Sequence, residues 1–186
     1  MKWLAPLAAC LIATFAYADQ QTIDPVLRQR LIDAAAVSTS FNDRFDAEVW
    51  LTDMSARLAR QVPDPEQRIV ILKTVHSEAT RVDLPPELIL AVIDVESNFD
   101  RLAVSYAGAA GLMQVMLFWR DEIGRPDDNL VDIDTNLRYG CTILRYYMDR
   151  EKDNLTRALA RYNGSVGKRW YPDRVMNKLS GKWFQQ

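Results

Sequence analysis

The sequence has few of the residues that metal centres and nucleophilic triads need. His76 is its single histidine, so neither a histidine metal cluster nor a histidine-based catalytic dyad or triad can be built. The sequence also lacks a G-x-S-x-G nucleophile elbow. Its net charge is −2, and no basic excess indicates nucleic acid as a partner. We therefore expect neither a metal site nor nucleic-acid binding.

Cysteine is equally scarce, with only Cys10 and Cys141 in the whole sequence. Cys10 lies in the apolar segment Trp3–Phe15, which is followed by an A-x-A cleavage pattern ending at Ala18. We interpret residues 1–18 as a secretory signal peptide cleaved after Ala18. A lipoprotein site at Cys10 fits less well, because the apolar run continues well past it. Cleavage would leave Cys141 alone in an apolar stretch, where we expect it to be buried.

Helical periodicity dominates the rest of the chain. We find no convincing two-residue alternation and no fixed-length repeat, so the pattern predicts an all-α fold of two helical layers. Pro63-Asp64-Pro65 is the clearest boundary, and Asp64 can cap the helix that follows. We predict a helical N-terminal extension over 19–64 and a main domain over 65–186. The predicted helices cover residues 25–37, 43–62, 66–82, 86–97, 112–123, 135–151, 156–161 and 172–184.

Glu96 breaks the helical pattern most clearly. It follows Ile89 by seven residues and Val92 by four, so at helical spacing it shares their apolar face. Burial would raise the pKa of this carboxyl, and the C-terminal end of a helix disfavours a negative charge. Both effects favour a protonated general acid near neutral pH. The alternative is a glutamate at a helix end that reaches water past its apolar stem.

A small-residue loop and an isolated amide follow this glutamate. The segment from Gly108 to Gly111 lets backbone or ligand approach closely, but it lacks the lysine of a phosphate loop. Gln114 lies in an apolar run, where it is also compatible with an ordinary polar position on a helix. Tyr162 and Asn163 end a helical pattern, and a simple C-cap is the alternative interpretation there.

Taken together, four blocks of sequence resemble the soluble lytic transglycosylase family, whose goose-type-lysozyme-like catalytic domain cleaves peptidoglycan glycan strands. The order and spacing of the blocks are those of the family, and the resemblance covers roughly residues 66–184. The blocks are Glu96-Ser97-x-Phe99 with Ser105, Gly108-Ala109-x-Gly111-Leu112-Met113-Gln114-x-Met116, Asn136-x-x-x-Gly140, and Ala158-Leu159-Ala160-x-Tyr162-Asn163. The resemblance implies a lysozyme-like helical domain.

The resemblance also implies roles for individual residues. Glu96 matches the single catalytic acid/base of the family. The other matched positions line the substrate: two polar side chains, a methionine sulfur in the sugar cleft, and a tyrosine that closes around the reacting centre with an asparagine beside it. These positions are, in that order, Ser105, Gln114, Met116, Tyr162 and Asn163.

The chain departs from the family pattern at several positions, among them Trp119 in place of a usual threonine and Gly164-Ser165 in place of Ala-Gly. Arg101, Leu117 and Val166 stand where prolines are usual. Ile143 stands where many members carry a tyrosine, and this difference matters most, because a hydroxyl of the sugar cleft is then missing. None of the departures removes the acid.

The carboxylates near Glu96 bear on the mechanism. Most glycosidases flank the scissile bond with two carboxylates. Asp94 and Asp100 are the nearest in sequence, but Asp94 is two residues from Glu96 and points away on a helix. The family mechanism needs only one: Glu96 protonates the oxygen between N-acetylmuramic acid and N-acetylglucosamine, and the C6 hydroxyl of muramic acid then attacks C1 to form a 1,6-anhydro product. We therefore expect no organic cofactor.

These arguments predict a monomeric periplasmic enzyme that acts on peptidoglycan glycan strands. Residues 19–64 could also contact a partner in an envelope-spanning apparatus. Two alternatives stay open. A muramidase assisted by Asp100 would release hydrated reducing ends, whereas a peptidoglycan-binding assembly factor would tolerate Glu96→Gln.

Overall fold

The computed structural model describes residues 25–36 and 38–184. The predicted signal peptide, with Cys10 and Ala18, lies outside the described residues. The predicted all-α class is confirmed, since helices dominate the described part of the chain. No helix there is both long and apolar enough to cross a membrane. The elements are α1 (Pro25–Ala36), α2 (Arg44–Leu58), α3 (Pro65–Arg81), α4 (Pro86–Glu96), β1 (Ala109–Ala110), β2 (Val115–Met116), α5 (Trp119–Ile123), α6 (Ile133–Arg150), α7 (Leu155–Tyr162), α8 (Trp170–Lys178) and a π-helical turn (Leu179–Trp183).

Short polar side chains set the starts of several helices. The Asp64 carboxylate accepts the backbone N–H of Glu66 at 3.0 Å, which confirms it as the predicted cap of α3. Asp132 accepts the N–H of Thr135 at 3.1 Å at the start of α6. These side chains satisfy N–H groups that have no partner within their own helix.

One continuous hydrophobic core runs through the described chain, with α4 at its centre. Every residue from Leu88 to Asp94 in that helix is buried. Leu51 and Leu58 of α2 belong to the same core, so this part of the predicted extension packs directly on the main domain. Cys141 is fully buried, as expected, and burial raises the pKa of its thiol.

The prediction of a helix over residues 112–123 was wrong. Only α5 is helical there, and it follows a short antiparallel hairpin in which β1 pairs with β2. Gly111 (φ +75°) and Gln114 (φ +48°) are in the left-handed region, which interrupts any helix. Two-residue strands are also too short to show alternation in the sequence.

The C-terminal segment begins earlier than predicted, at Trp170, and changes from α- to π-helical geometry after Lys178. Both parts pack on α4. Trp183 in the π-helical turn is fully buried and stacks at a tilt on Phe99, with ring centroids 5.4 Å apart. The C-terminal segment is therefore part of the core that surrounds α4.

Candidate active site

Glu96 is the last residue of α4, and a tight turn follows it. Asn98 (φ +50°) and Phe99 (φ +67°) are both left-handed, an uncommon conformation for residues with a Cβ. Phe99 is buried, which anchors the turn in the core. The Ser97 hydroxyl donates to the carbonyl of Leu112 at 2.8 Å. The end of α4 is thus fastened to the segment just before β2.

Glu96 is half-buried, and its carboxyl has a tyrosine hydroxyl as hydrogen-bond partner. Tyr171 donates its hydroxyl proton to Glu96 Oε1, with an O–O distance of 2.5 Å. Burial raises the pKa of Glu96 to about 7, although the Tyr171 hydrogen bond and the nearby charge of Arg174 act in the opposite direction. A carboxyl with this pKa can be protonated near neutral pH and can also give up its proton there.

A second tyrosine lies close to the same carboxyl. The Tyr162 hydroxyl donates to the carbonyl of Met113 at 2.8 Å. Burial raises the pKa of this phenol well above its ordinary value, and the negative charge of Glu96 raises it further. Tyr162 and Tyr171 are therefore both neutral, and they approach Glu96 from α7 and α8.

Asn136 of α6 holds the segment between the strands in place. Its amide donates to the carbonyls of Ala110 (2.8 Å) and Leu130 (2.7 Å). Its oxygen accepts the N–H of Met113 at 2.8 Å. A Cβ on Gly111 would lie 2.3 Å from the Asn136 amide, so only glycine fits at this position. A buried side chain thus replaces the helical hydrogen bonds that the sequence pattern had suggested.

Two of the predicted substrate-lining residues also support the hairpin backbone. The Ser105 hydroxyl accepts the N–H of Ala109 at 3.0 Å. The Gln114 amide donates to the carbonyls of Ala103 (3.1 Å) and Gly111 (3.0 Å). The Gln114 amide nitrogen therefore already has two backbone partners, and its carbonyl oxygen is the atom left to meet a ligand.

The remaining predicted positions are less constrained. Met116 is half-buried in β2, and Asn163 is a half-buried residue that ends α7. The Asn163 side chain has no hydrogen bond to any other described residue. Ile143 is buried in the core, so an aliphatic side chain occupies the position where many family members have a tyrosine.

The two aspartates nearest Glu96 in sequence have other hydrogen-bond or ion-pair partners. Asp94 is buried and pairs with Lys178 (2.6 Å) and Lys182 (3.3 Å), and it accepts the indole N–H of Trp183 at 3.1 Å. Burial raises the pKa of Asp94, but the two lysines outweigh this effect and hold it below its ordinary value. The exposed Asp100 accepts the backbone N–H two residues later at 2.9 Å. Neither aspartate is hydrogen-bonded to Glu96.

Sequence reasoning missed Tyr171 and Arg174. Both lie in α8, about 75 residues after Glu96, and no spacing pattern connects them to it. The nearest signal in the sequence is that Tyr171 follows Tyr162 by nine residues. That signal does not identify a partner for a carboxyl on another helix.

The single histidine has a structural role. His76 is half-buried, its Nδ1 lies 2.8 Å from the Ser40 hydroxyl, and its ring stacks on Phe41 with centroids 3.5 Å apart. Burial lowers the pKa of His76 to about 4, so the ring is neutral at physiological pH. Within the described residues, no cluster of three or more His, Cys, Asp or Glu side chains could hold a metal ion.

Comparisons with known proteins identify a matching family and several relatives. Residues 73–180 match the model of the family described as "Transglycosylase SLT domain". The chain is 30% identical over 114 residues to a protein named "Transglycosylase" from Enterobacteria phage PRD1, an alignment that covers 58% of this chain and 42% of that protein. It is 34% identical over 112 residues to "Membrane-bound lytic murein transglycosylase C" from Actinobacillus pleuropneumoniae serotype 5b, covering 52% of this chain and 31% of the relative.

A solved structure of an inactive variant of the lytic transglycosylase Slt from Pseudomonas aeruginosa is also similar. It shares 22% sequence identity and a TM-score of 0.47, over 85% of this chain and 34% of the other. The chain thus spans less than half the length of the relatives it matches.

Proposed function

The chain belongs to the transglycosylase SLT family, and on that premise we propose that it is a lytic transglycosylase acting on peptidoglycan. The bond cleaved is the β-1,4 linkage between N-acetylmuramic acid and N-acetylglucosamine, and the product carries a 1,6-anhydro ring. The names of its relatives, a transglycosylase and a lytic murein transglycosylase, support this reaction class.

The observation that carries the proposal is the environment of Glu96. This residue is half-buried, its carboxyl has a pKa raised to about 7, and it contacts a neutral phenol rather than a paired cation. A group that must first give and then take a proton works best when its pKa is near the ambient pH. Asp94 and Asp100, the aspartates nearest to it in sequence, both have other partners. A mechanism with one acid/base therefore fits this site better than a two-carboxylate mechanism.

In the first step Glu96 donates its proton to the oxygen of the glycosidic bond. Tyr171 occupies Oε1 of the carboxyl, so Oε2 is the oxygen that carries the proton towards the substrate. As the bond breaks, positive charge develops at C1 of muramic acid, and the N-acetyl group of the same sugar stabilises it. The Tyr171 hydrogen bond also stabilises the carboxylate that remains after the proton has left.

In the second step the Glu96 carboxylate removes the proton from the C6 hydroxyl of muramic acid. The C6 oxygen attacks C1 and closes the 1,6-anhydro ring, so no water enters the product. Glu96 ends the cycle protonated, as it began. A pKa of about 7 allows both transfers, since neither protonation state of the carboxyl is strongly disfavoured near neutral pH.

The substrate contacts are assigned by position around this carboxyl. Tyr162 lies beside Glu96, where its ring would border the reacting sugar. Ser105, Gln114 and Met116 belong to the hairpin region, and Asn163 follows Tyr162 at the end of α7. We place the glycan strand between the hairpin and the α7 end.

Peptidoglycan as substrate requires export, so we place the protein in the periplasm, with residues 1–18 acting as a cleaved signal peptide. N-terminal sequencing of protein from the periplasmic fraction should then begin at Asp19. Protein that stays in the cytoplasm with Met1 intact would contradict this placement.

The test of the reaction is mass spectrometry of the soluble products that the protein releases from purified sacculi. We expect muropeptides with 1,6-anhydro ends from the wild-type protein and none from Glu96→Gln. Glu151→Gln is a control of the same residue type, because Glu151 is a buried glutamate that pairs with Arg157 and Arg161. It should retain the product pattern.

Hydrated reducing ends in place of anhydro ends would make the protein a muramidase and overturn the transglycosylase proposal. Equal product release by wild type and Glu96→Gln would overturn the assignment of the acid.

A further inference from the structure

The contact between α4 and the C-terminal segment is built around one buried carboxylate. Asp94 is 4% exposed, and three groups from the C-terminal segment converge on it. Lys178 lies 2.6 Å from Oδ1, whereas Lys182 (3.3 Å) and the Trp183 indole N–H (3.1 Å) meet Oδ2. One side chain of α4 thus fixes both α8 and the π-helical turn.

The same two helices meet a second time at the proposed acid. Glu96 lies two residues after Asp94 on α4, and Tyr171 lies seven residues, or two helical turns, before Lys178 on α8. Residues seven apart share one face of a helix. One face of helix α8 is therefore attached to α4 at two points. Lys178 forms an ion pair with Asp94, and Tyr171 donates a hydrogen bond to Glu96.

Helix α2 and the turn that follows it also contact the C-terminal segment. Arg57 donates to the backbone carbonyls of Lys182 (2.5 Å) and Phe184 (3.2 Å). Gln61 accepts a hydrogen bond from the Lys182 ammonium and donates to Asn98 at 2.7 Å, in the turn after Glu96. The C-terminal segment is consequently held in one register along α4.

We propose that Asp94 is a positioning residue for the reaction: its ion pairs hold α8 in the register that places the Tyr171 hydroxyl against Glu96. A slip of α8 by one residue would move its atoms by about 1.5 Å, enough to break a short hydrogen bond. Asp94 does not touch the substrate and acts only through the helix. This inference rests on the proposed role of Glu96 as the acid.

The test is a double-mutant cycle of Asp94→Asn and Tyr171→Phe, read as kcat for product release from sacculi. Misplacement of a catalytic contact by about 1 Å can cost up to about 100-fold. We expect Asp94→Asn to lower kcat roughly tenfold in the wild-type background and less than about twofold when Tyr171 is already Phe. Equal factors in both backgrounds would show that Asp94 does not act through Tyr171, which would overturn the proposal.

Two further variants separate positioning from general destabilisation. Lys178→Met removes a half-exposed partner of Asp94 and should reproduce the kinetic effect even if Asp94→Asn does not fold. Glu151→Gln removes a second buried carboxylate, one that joins α6 to α7 through Arg161. It should lower stability without changing kcat. A tenfold loss of kcat in Glu151→Gln would mean that any buried ion pair has this effect, and would contradict a specific role for Asp94.

A second readout does not depend on turnover. The pKa of Glu96, followed by carbon-13 NMR of its side-chain carboxyl, should move in the same direction in Asp94→Asn as in Tyr171→Phe. An inactive wild-type protein would contradict the proposed function and still leave this titration to decide the positioning role. An unchanged Glu96 pKa in Asp94→Asn, with a changed one in Tyr171→Phe, would overturn the positioning role alone.

Discussion

Helix α4 carries two carboxyls, two residues apart, and their surroundings shift the two pKa values in opposite directions. Asp94 faces two lysines and an indole N–H, and its pKa lies below the ordinary value. Glu96 faces a neutral phenol, and its pKa is raised to about 7. Burial raises the pKa of both carboxyls, so their hydrogen-bond and charge partners decide which pKa is finally raised and which is lowered. One helix therefore holds a carboxyl that is ionised at neutral pH and a second carboxyl that can be protonated there.

Glu151 supports the same conclusion, because it is of the same residue type as Glu96. It is buried, yet the Arg161 hydrogen bond and the charge of Arg157 hold its pKa below the ordinary value. A buried glutamate is thus a candidate acid only where no cation pairs with it. Carboxyls whose environments push their pKa values apart are typical of sites that use acid–base chemistry.

The largest expected effect comes from removing the proposed proton donor. Glu96→Gln keeps the shape of the side chain but cannot transfer a proton, so we expect turnover on sacculi to fall by about a thousandfold. Quantified anhydro-muropeptide release measures this loss. A residual rate within tenfold of wild type would show that another group supplies the proton.

The same substitution should affect stability in a pH-dependent way. The native pKa of Glu96 is raised, so the native state binds this proton more tightly than the unfolded state, and the free energy of unfolding falls as pH rises from about 4.5 through 7. Glu96→Gln removes this pH-dependent loss. The change in the free energy of unfolding that the substitution causes should therefore be more favourable at pH 8 than at pH 4, by up to about 3 kcal/mol. Urea unfolding at the two pH values measures the difference, and an equal effect at both would contradict the raised pKa.

Asp94→Asn should lower the free energy of unfolding near neutral pH, whereas Glu96→Gln should be more favourable there than at acidic pH. It leaves two lysines without their counter-charge, and we expect a loss of about 2 kcal/mol at pH 7, less than for a fully buried pair because both lysines are partly exposed. The pKa of Asp94 is lowered, so its contribution is present above the ordinary value of 3.8 and is lost as pH falls below it. A urea midpoint equal to that of wild type at pH 7 would contradict this role.

The smallest expected effect is a shift of the pH–rate profile. Activity that requires protonated Glu96 should fall as pH rises through about 7. The Tyr171 hydrogen bond lowers the pKa of Glu96, so Tyr171→Phe should move the midpoint of this fall to higher pH. Initial rates between about pH 5 and pH 9 measure the shift. A midpoint that moves to lower pH would show that water entry outweighs the lost hydrogen bond.

The sequence predicted the helices well where the apolar periodicity was long, as in α4 and α6. It failed between Leu112 and Met116, where an apolar run folds as a turn and a strand. The reason is tertiary: the buried Asn136 supplies hydrogen bonds that a helix would have made internally. Such substitution by a side chain 23 or more residues away leaves no local signal.

The candidate site was also predictable only in part. Helical spacing alone singled out Glu96 as a carboxyl on an apolar face, and in the structure Asp94 and Glu96 have different hydrogen-bond partners. It could not find Tyr171, because this contact depends on how α8 packs on α4. Features encoded within one helix were predictable, whereas those that need two helices in register were not.

The most direct test of the contrast within α4 is a carbon-13 NMR titration of the two side-chain carboxyls in the wild-type protein. We expect Glu96 to titrate near pH 7 and Asp94 to remain ionised below its ordinary value of 3.8. If both carboxyls titrate near their ordinary values, their partners do not set the protonation states, and Glu96 is not the acid that this account requires.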